Sequence, residues 1–277
     1  MLGYVFKNTQ TLNDKNDDRM RSEAGIEVPY GLREIQAVAV MEGCFPEKFG
    51  IPRQAGIAKS ARGTIRLLAP FNHENYLQGL ELSSHLWLTF GFHQNEWNGK
   101  ATVRPQRLGG NERMGVFATR SSFRPNGLGL SAVKIEAIDA KSGAIEVSGH
   151  DLMDGTPIYC IKPYIPFSDA IPEAISAFAV DKPHDFPVYF SQNAIDQLSL
   201  LEAHAPYLKT LMTEVISQNP TPQFHQDAQR IYGVSLKSWN ILFKKLEEKD
   251  LSEVVLDQIE SISLDCPAFL VIEIKAR

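Results

Sequence analysis

Residues 109–138 read GGNERMGVFATRSSFRPNGLGLSAVKIEAI, and residues 149–167 read GHDLMDGTPIYCIKPYIPF. Both stretches alternate apolar and polar residues over short runs that are broken by Gly, Pro, Asn and Asp, the composition of strands joined by tight turns. Arg113, Arg120 and Arg124, with Arg107 just upstream, fall among the turn residues and not along one helical face. Guanidinium groups presented this way suit a polyanion or a carboxylate.

Strand signals continue on the N-terminal side. Ile35 to Met41 (IQAVAVM) and Gly63 to Leu68 (GTIRLL) read as strands, the second stopped by Ala69-Pro70. After a helical turn around Asn75 to Leu80, the clearest strand runs from His85 to Gln94. Its two-residue period puts Leu86, Leu88, Phe90 and Phe92 on one face and His85, Trp87, Thr89 and His93 on the other. Met114 to Thr119, Ser131 to Ile138 and Ala144 to Val147 add three more. Many short strands with few helices predict a mainly β domain, a small antiparallel barrel or sandwich.

The rest of the chain reads differently. Residues 1–33 are polar and weakly periodic, an extension to the domain at 34–180, and the Pro/His break between Val180 and Asp185 marks the expected boundary. Asn193 to Ala203 and Tyr207 to Gln218 carry apolar residues at helical spacing. Asn219-Pro220-Thr221-Pro222 then forces a turn, and Trp239 to Phe243, Val254 to Ile262 and Ala268 to Ile274 read as strands. Residues 181–277 are therefore expected to form a smaller α+β domain.

Composition narrows the function classes. The chain has 277 residues, 43% of them hydrophobic, and no apolar run approaches the ~20 residues that a bilayer span requires. The polar N-terminus lacks the apolar segment of a secretory signal, so a cytoplasmic protein is expected. Three dispersed cysteines, Cys44, Cys160 and Cys266, form neither a disulfide framework nor a zinc ribbon and are read as small buried apolar residues. The histidines show no tight metal spacing, so no metal is expected. Net charge is −5, yet Pro52 to Leu130 holds ten Lys/Arg against four Asp/Glu, a basic segment in an acidic protein and a footprint for phosphate contact.

Motif readings need context. Residues 127–132 (GLGLSA) satisfy a relaxed dinucleotide fingerprint, but that motif opens a helix, whereas Val133-Lys134-Ile135-Glu136 alternates as a strand; a Rossmann site is rejected. Ser121 and Ser122 lie in no nucleophile elbow and read as turn hydroxyls. Asp151 and Asp154 either fix a tight turn or accept hydrogen bonds from a ligand, and His93 is either ligand-facing or a satisfied core histidine.

Taken together, IPRQ at 51–54, the Leu86-Trp87 to Phe92-His93-Gln94 strand, TVRPQRLGGN at 102–111, MGVFATRS at 114–121, FRPN at 123–126 and DLMDGTP at 151–157 resemble the TsaA-like tRNA methyltransferases, the TrmO family. The likeness covers about Arg33 to Asp169, with a weaker echo to the C-terminus. It implies a small antiparallel β-barrel that binds S-adenosylmethionine, a homodimer, and a tRNA substrate methylated on the exocyclic amine of a threonylcarbamoyl-adenosine beside the anticodon.

Carried over by position, the resemblance places Pro52, Arg53, Gln54, His93, Gln94, Arg120, Leu130, Asp151, Leu152, Asp154, Gly155 and Thr156 around the methyl donor. Asp154 and His93 are its candidate proton acceptors, and Arg104, Arg107, Arg113 and Arg124 its candidate RNA contacts. Where the family tends to carry Asp-Pro-Arg-Pro-x-Tyr, this chain has Asn219-Pro220-Thr221-Pro222-Gln223-Phe224, so no RNA contact is carried over to that segment. The alternatives are a protein that binds the donor or RNA without turnover, or a methyltransferase of a small molecule.

Overall fold

The computed structural model describes residues 34–105, 112–176, 182–201, 203–222, 227, 229–255 and 266–277. Contacts divide the chain into Met1–Ala37 and Val38–Arg277, and every element below belongs to the second unit.

Six strands close into an antiparallel barrel: β1 (Ala39–Glu42), β2 (Arg62–Leu67), β3 (His85–Gly91), β6 (Leu128–Asp139), β7 (Ala144–Ser148) and β8 (Pro157–Pro163), in the order β1-β2-β7-β6-β3-β8 with β8 pairing back to β1. Between β3 and β6 lies a separate two-stranded hairpin of β4 (Thr102–Val103) and β5 (Met114–Gly115). Alternation fills the interior: Met41, Ile65, Leu86, Leu88, Val133, Ile145, Val147 and Ile158 are all at most 1% exposed and pack together. Their chain neighbours face out.

The fingerprint-like stretch has a packing explanation. Gly127 sits at φ +56° in the turn that enters β6, and no helix follows. Gly129 lies across from Phe90, and a Cβ there would stand 2.4 Å from the Phe90 ring. Both glycines serve turn and barrel, not a nucleotide.

After the short helix α1 (Pro166–Asp169), β9 (Val188–Phe190) leads into helices α2 (Gln192–Leu201) and α3 (Leu208–Ile216). The strands β10 (Tyr232–Leu236), β11 (Trp239–Lys245) and β12 (Phe269–Ala276) complete a sheet in the order β10-β11-β12-β9, with β9 parallel to β12. The second core contains Leu211, Val215, Val234, Phe243 and Phe269, joined by Cys44, Phe45, Ala58 and Ala61 from the segment between β1 and β2.

Several expectations shift. The strand expected to reach Gln94 ends at Gly91, because the chain turns back there and the His93 amide bonds the Gly91 carbonyl. Of Met114 to Thr119 only Met114–Gly115 is strand; Val116–Ala118 is a 3-10 turn. Where Val254 to Ile262 reads as a strand, Val254 makes only an isolated bridge to Ser191, and residues 256–262 lie outside the described residues. Of the cysteines, Cys44 is fully buried, and burial pushes its thiol up to about 12; Cys160 and Cys266 are only half-buried.

Gly129→Ala should destabilise the protein by about 1–3 kcal/mol, because the added methyl overpacks a filled core. Urea unfolding of Gly129→Ala, Phe90→Leu and the double variant should show that the two losses are less than additive.

Candidate functional site

At one mouth of the barrel β1 and the turn before β8 are sewn together. The Met41 amide donates to the Thr156 carbonyl at 2.9 Å, the Gly155 amide to the Met41 carbonyl at 2.8 Å, and the Asp154 amide to the Phe45 carbonyl at 2.8 Å. The Asp154 carboxylate in turn accepts the Gly43 amide at 2.8 Å. Asp154 thus fixes the turn, the first of its two sequence readings, while its side chain is exposed at the rim.

Asp151 is held from other directions. Its Oδ1 accepts the Ser131 hydroxyl at 2.6 Å, and the Ala55 amide and the Arg120 charge also favour its ionised form. Burial is the larger effect and raises the carboxyl above the ordinary aspartate range. Arg120 donates to Gln54 Oε1 at 2.5 Å. Gln54 and Arg120, from two separate segments, are thus hydrogen-bonded partners, and the positive charge of Arg120 acts on Asp151 in a third.

On the other side of the turn, the Thr156 hydroxyl lies 3.5 Å from His93 Nδ1. Desolvation lowers the His93 pKa, more than the Gly91 carbonyl and the Asp154 charge raise it, and Lys48 adds to the lowering. The imidazole is thereby kept neutral. Lys48 also fixes the loop after β3, donating to the Gln94 carbonyl at 2.5 Å and to Asn95 Oδ1 at 2.7 Å.

The remaining predicted residues divide. Leu130 is 59% exposed beside Ser131, and Pro52 is buried near Arg53 and Gln54. The Leu152 side chain is 1% exposed in the barrel core, so a ligand contact there falls to its backbone. Arg104 and Arg113 are exposed next to the β4–β5 hairpin, away from the turn in sequence, whereas Arg124 donates to the Thr119 carbonyl at 3.1 Å and so braces its own loop. Arg107 lies outside the described residues. Beyond α3, Thr221 bonds Asn219 Oδ1 at 2.5 Å, so the altered motif serves a turn; Gln223 and Phe224 lie outside the described residues.

Sequence reasoning missed Gly43, Lys48 and Ser131. Only Ser131 carried a signal, its place on the inward face one period from Val133. It also missed His150, fully buried, whose Nδ1 accepts the Leu152 amide at 3.3 Å and whose Nε2 lies 3.6 Å from Cys44 Sγ. Burial lowers its pKa to about 4, so it is a neutral strut behind the turn.

The chain is similar in sequence and fold to known proteins. A family model described as the tRNA-methyltransferase O N-terminal domain matches residues 40–170, and the TrmO C-terminal domain model matches 183–258. A protein of Escherichia coli K12 named tRNA (adenine(37)-N6)-methyltransferase is 40% identical over 217 residues, 76% of this chain and 92% of that protein. The chain belongs to the TrmO family. Another relative, from Eikenella corrodens and of the same name, is 41% identical over 62% of this chain and 97% of its own length. A structure titled as TrmO superposes with a TM-score of 0.70 at 32% identity, covering 89% of this chain and all of that one. TrmO from Pseudomonas aeruginosa gives 0.70 at 30% identity, over 89% of this chain and 99% of that one. Among the described residues no helix is long and apolar enough to cross a membrane, and no group of three or more His, Cys, Asp or Glu is placed to hold a metal.

Because its folded pKa is raised, Asp151 lends stability that is present at low pH and lost as pH rises through that value. Thermal melts across about pH 4 to 7 should therefore show wild-type stability falling relative to Asp151→Asn, which cannot ionise. Parallel curves would remove the strain assigned to this carboxylate.

Proposed function

We propose that this chain is an S-adenosylmethionine-dependent tRNA methyltransferase acting on the exocyclic N6 amine of adenosine 37, the activity in the names of its relatives. The form of the base would be the threonylcarbamoyl-adenosine that the family implies. The observation that carries this reading is the convergence, at one barrel mouth, of Gln54, Arg120 and Asp151 on one side of the turn and His93 and Asp154 on the other.

The residues fit the donor. Arg120, steadied by Gln54, is a guanidinium for its carboxylate, and Asp151 supplies a carboxyl that can accept from its hydroxyl or ammonium groups. Leu130 offers an apolar wall. S-adenosylmethionine, when bound, supplies an electrophilic methyl group on a sulfonium centre. The protein's task is then to align the amine and exclude water, since displacement at carbon needs no protein nucleophile.

The amine shares its lone pair with the purine and is a weak base, so it has to give up a proton during the reaction. We infer that His93 accepts it, because burial keeps this imidazole neutral, whereas the Asp154 carboxylate is already engaged by the Gly43 amide. Large apolar side chains flanking Arg120 in the chain, Phe117 at 79% and Phe123 at 49% exposure, support a homodimer that covers the mouth. A cytoplasmic location and a division at about residue 181 into a barrel domain and an α+β domain complete the proposal.

Nucleoside mass spectrometry tests the reading. Threonylcarbamoylated tRNA from a strain lacking this gene, incubated with the protein and S-adenosylmethionine, should yield an adenosine heavier by one methyl; donor binding with unchanged RNA would refute tRNA methylation. The role of His93 has its own test. The acid limb of kcat/KM should lie below about pH 6.5 and vanish in His93→Gln; a limb that persists in the variant would move the role elsewhere.

A further inference from the structure

The register of four barrel strands builds a basic row on the outer wall. Arg62 of β2 is paired with Ser148 of β7, Ser148 with Lys134 of β6, and Lys134 with His85 of β3. Paired residues share a face, and their chain neighbours Val147, Val133 and Leu86 point into the core, so all four point outward. At a strand spacing of about 4.8 Å the row crosses about 14 Å of sheet. Lys59, from the segment before β2, overhangs it. Between them is a cavity of about 390 Å³ lined by Gly56, Lys59, His85, Lys134, Glu136 and Ser148, and also by Ala132 and Gly149.

Its charge is one-sided. Lys59, Arg62, Lys134 and His85 are all exposed. Two nearby carboxylates are already engaged: Glu136 accepts Ser148 at 2.5 Å and Lys134 at 3.1 Å, and Glu214 accepts both the amide and the hydroxyl of Ser60, while exposed Glu146 lies one outward position beyond Ser148 on β7. Arg62 is set over the ring of Tyr207, the residue before α3, at 5.4 Å. In a protein of net charge −5, three permanent cations around one hydrogen-bonded carboxylate form a local basic site.

The cavity also adjoins the candidate donor site. Gly56 and Ala132 line it, and the residues next to them, Ala55 and Ser131, hold the Asp151 carboxylate. Consecutive Cα atoms are about 3.8 Å apart, so the two sites share a wall.

We propose that this cavity and its basic row bind the sugar–phosphate backbone of the RNA next to the target adenosine. The proposal rests on the tRNA-methyltransferase reading. Lysine ammoniums supply sequence-independent contacts to phosphate oxygens, which position the strand while the mouth receives the base.

The test uses the full chain and a fluorescein-labelled tRNA anticodon stem-loop, with affinity measured by anisotropy across a KCl series. Wild type should show a steep decline of log affinity with log salt. Lys59→Ala and Lys134→Ala should each weaken binding and flatten that slope by about 0.7 to 1, one phosphate contact apiece. Lys134→Arg should keep the slope. Lys141→Ala, the same charge change in the turn at the far end of β6, should leave the slope unaltered, and calorimetry with S-adenosylmethionine should give wild-type affinity for all four. Wild-type slope and affinity in both alanine variants would overturn the proposal while the tRNA reading stands. Failure of the wild-type protein itself to bind the stem-loop would overturn both.

Discussion

The seam between β1 and the turn before β8 is the constraint on which the rest of this structure depends. Three backbone hydrogen bonds and the Asp154–Gly43 contact close the barrel there. In doing so they fix Asp154, Gly155 and Thr156 relative to a rigid strand. A carboxylate that caps a backbone amide across 111 residues of chain sacrifices little freedom after folding, because its turn is already held by its neighbours. The site is thus a by-product of closure, and preorganisation comes from the same bonds that hold the fold together.

Much of the barrel was legible in the sequence for a physical reason. β3 and β6 show a two-residue period because one face packs inside and the other meets solvent, and the Asp-Leu-Met-Asp-Gly turn announces itself by residues that favour tight turns. The short strands β9 and β10 were not legible, since Val188–Phe190 and Tyr232–Leu236 are too brief or too uniformly buried to alternate. Val254 failed in the opposite way: its apolar neighbours resemble a strand, yet it pairs only as an isolated bridge to Ser191 and is buried in a cluster with Tyr189, Leu246 and Leu270.

For the site, individual residue types were readable and their partnerships were not. Arg120 and Gln54 are 66 positions apart, and nothing local in either segment specifies the other. The same holds for Arg62, His85 and Lys134, which become one row only through strand register. His150 left no sequence signal, because its burial is imposed by Phe45 and Cys44 from elsewhere in the chain.

The placement of β9 has a consequence for how the chain acquires its structure during synthesis. Val188–Phe190 pairs in parallel with Phe269–Val271, so this strand waits for some eighty further residues before its partner emerges. Until then Cys44 and Phe45, which complete the second core, have only part of their packing. The barrel strands are all translated well before that point. A ribosome-bound intermediate would therefore carry a closed barrel with an apolar flank still open until Phe269–Val271 emerge and pair with β9.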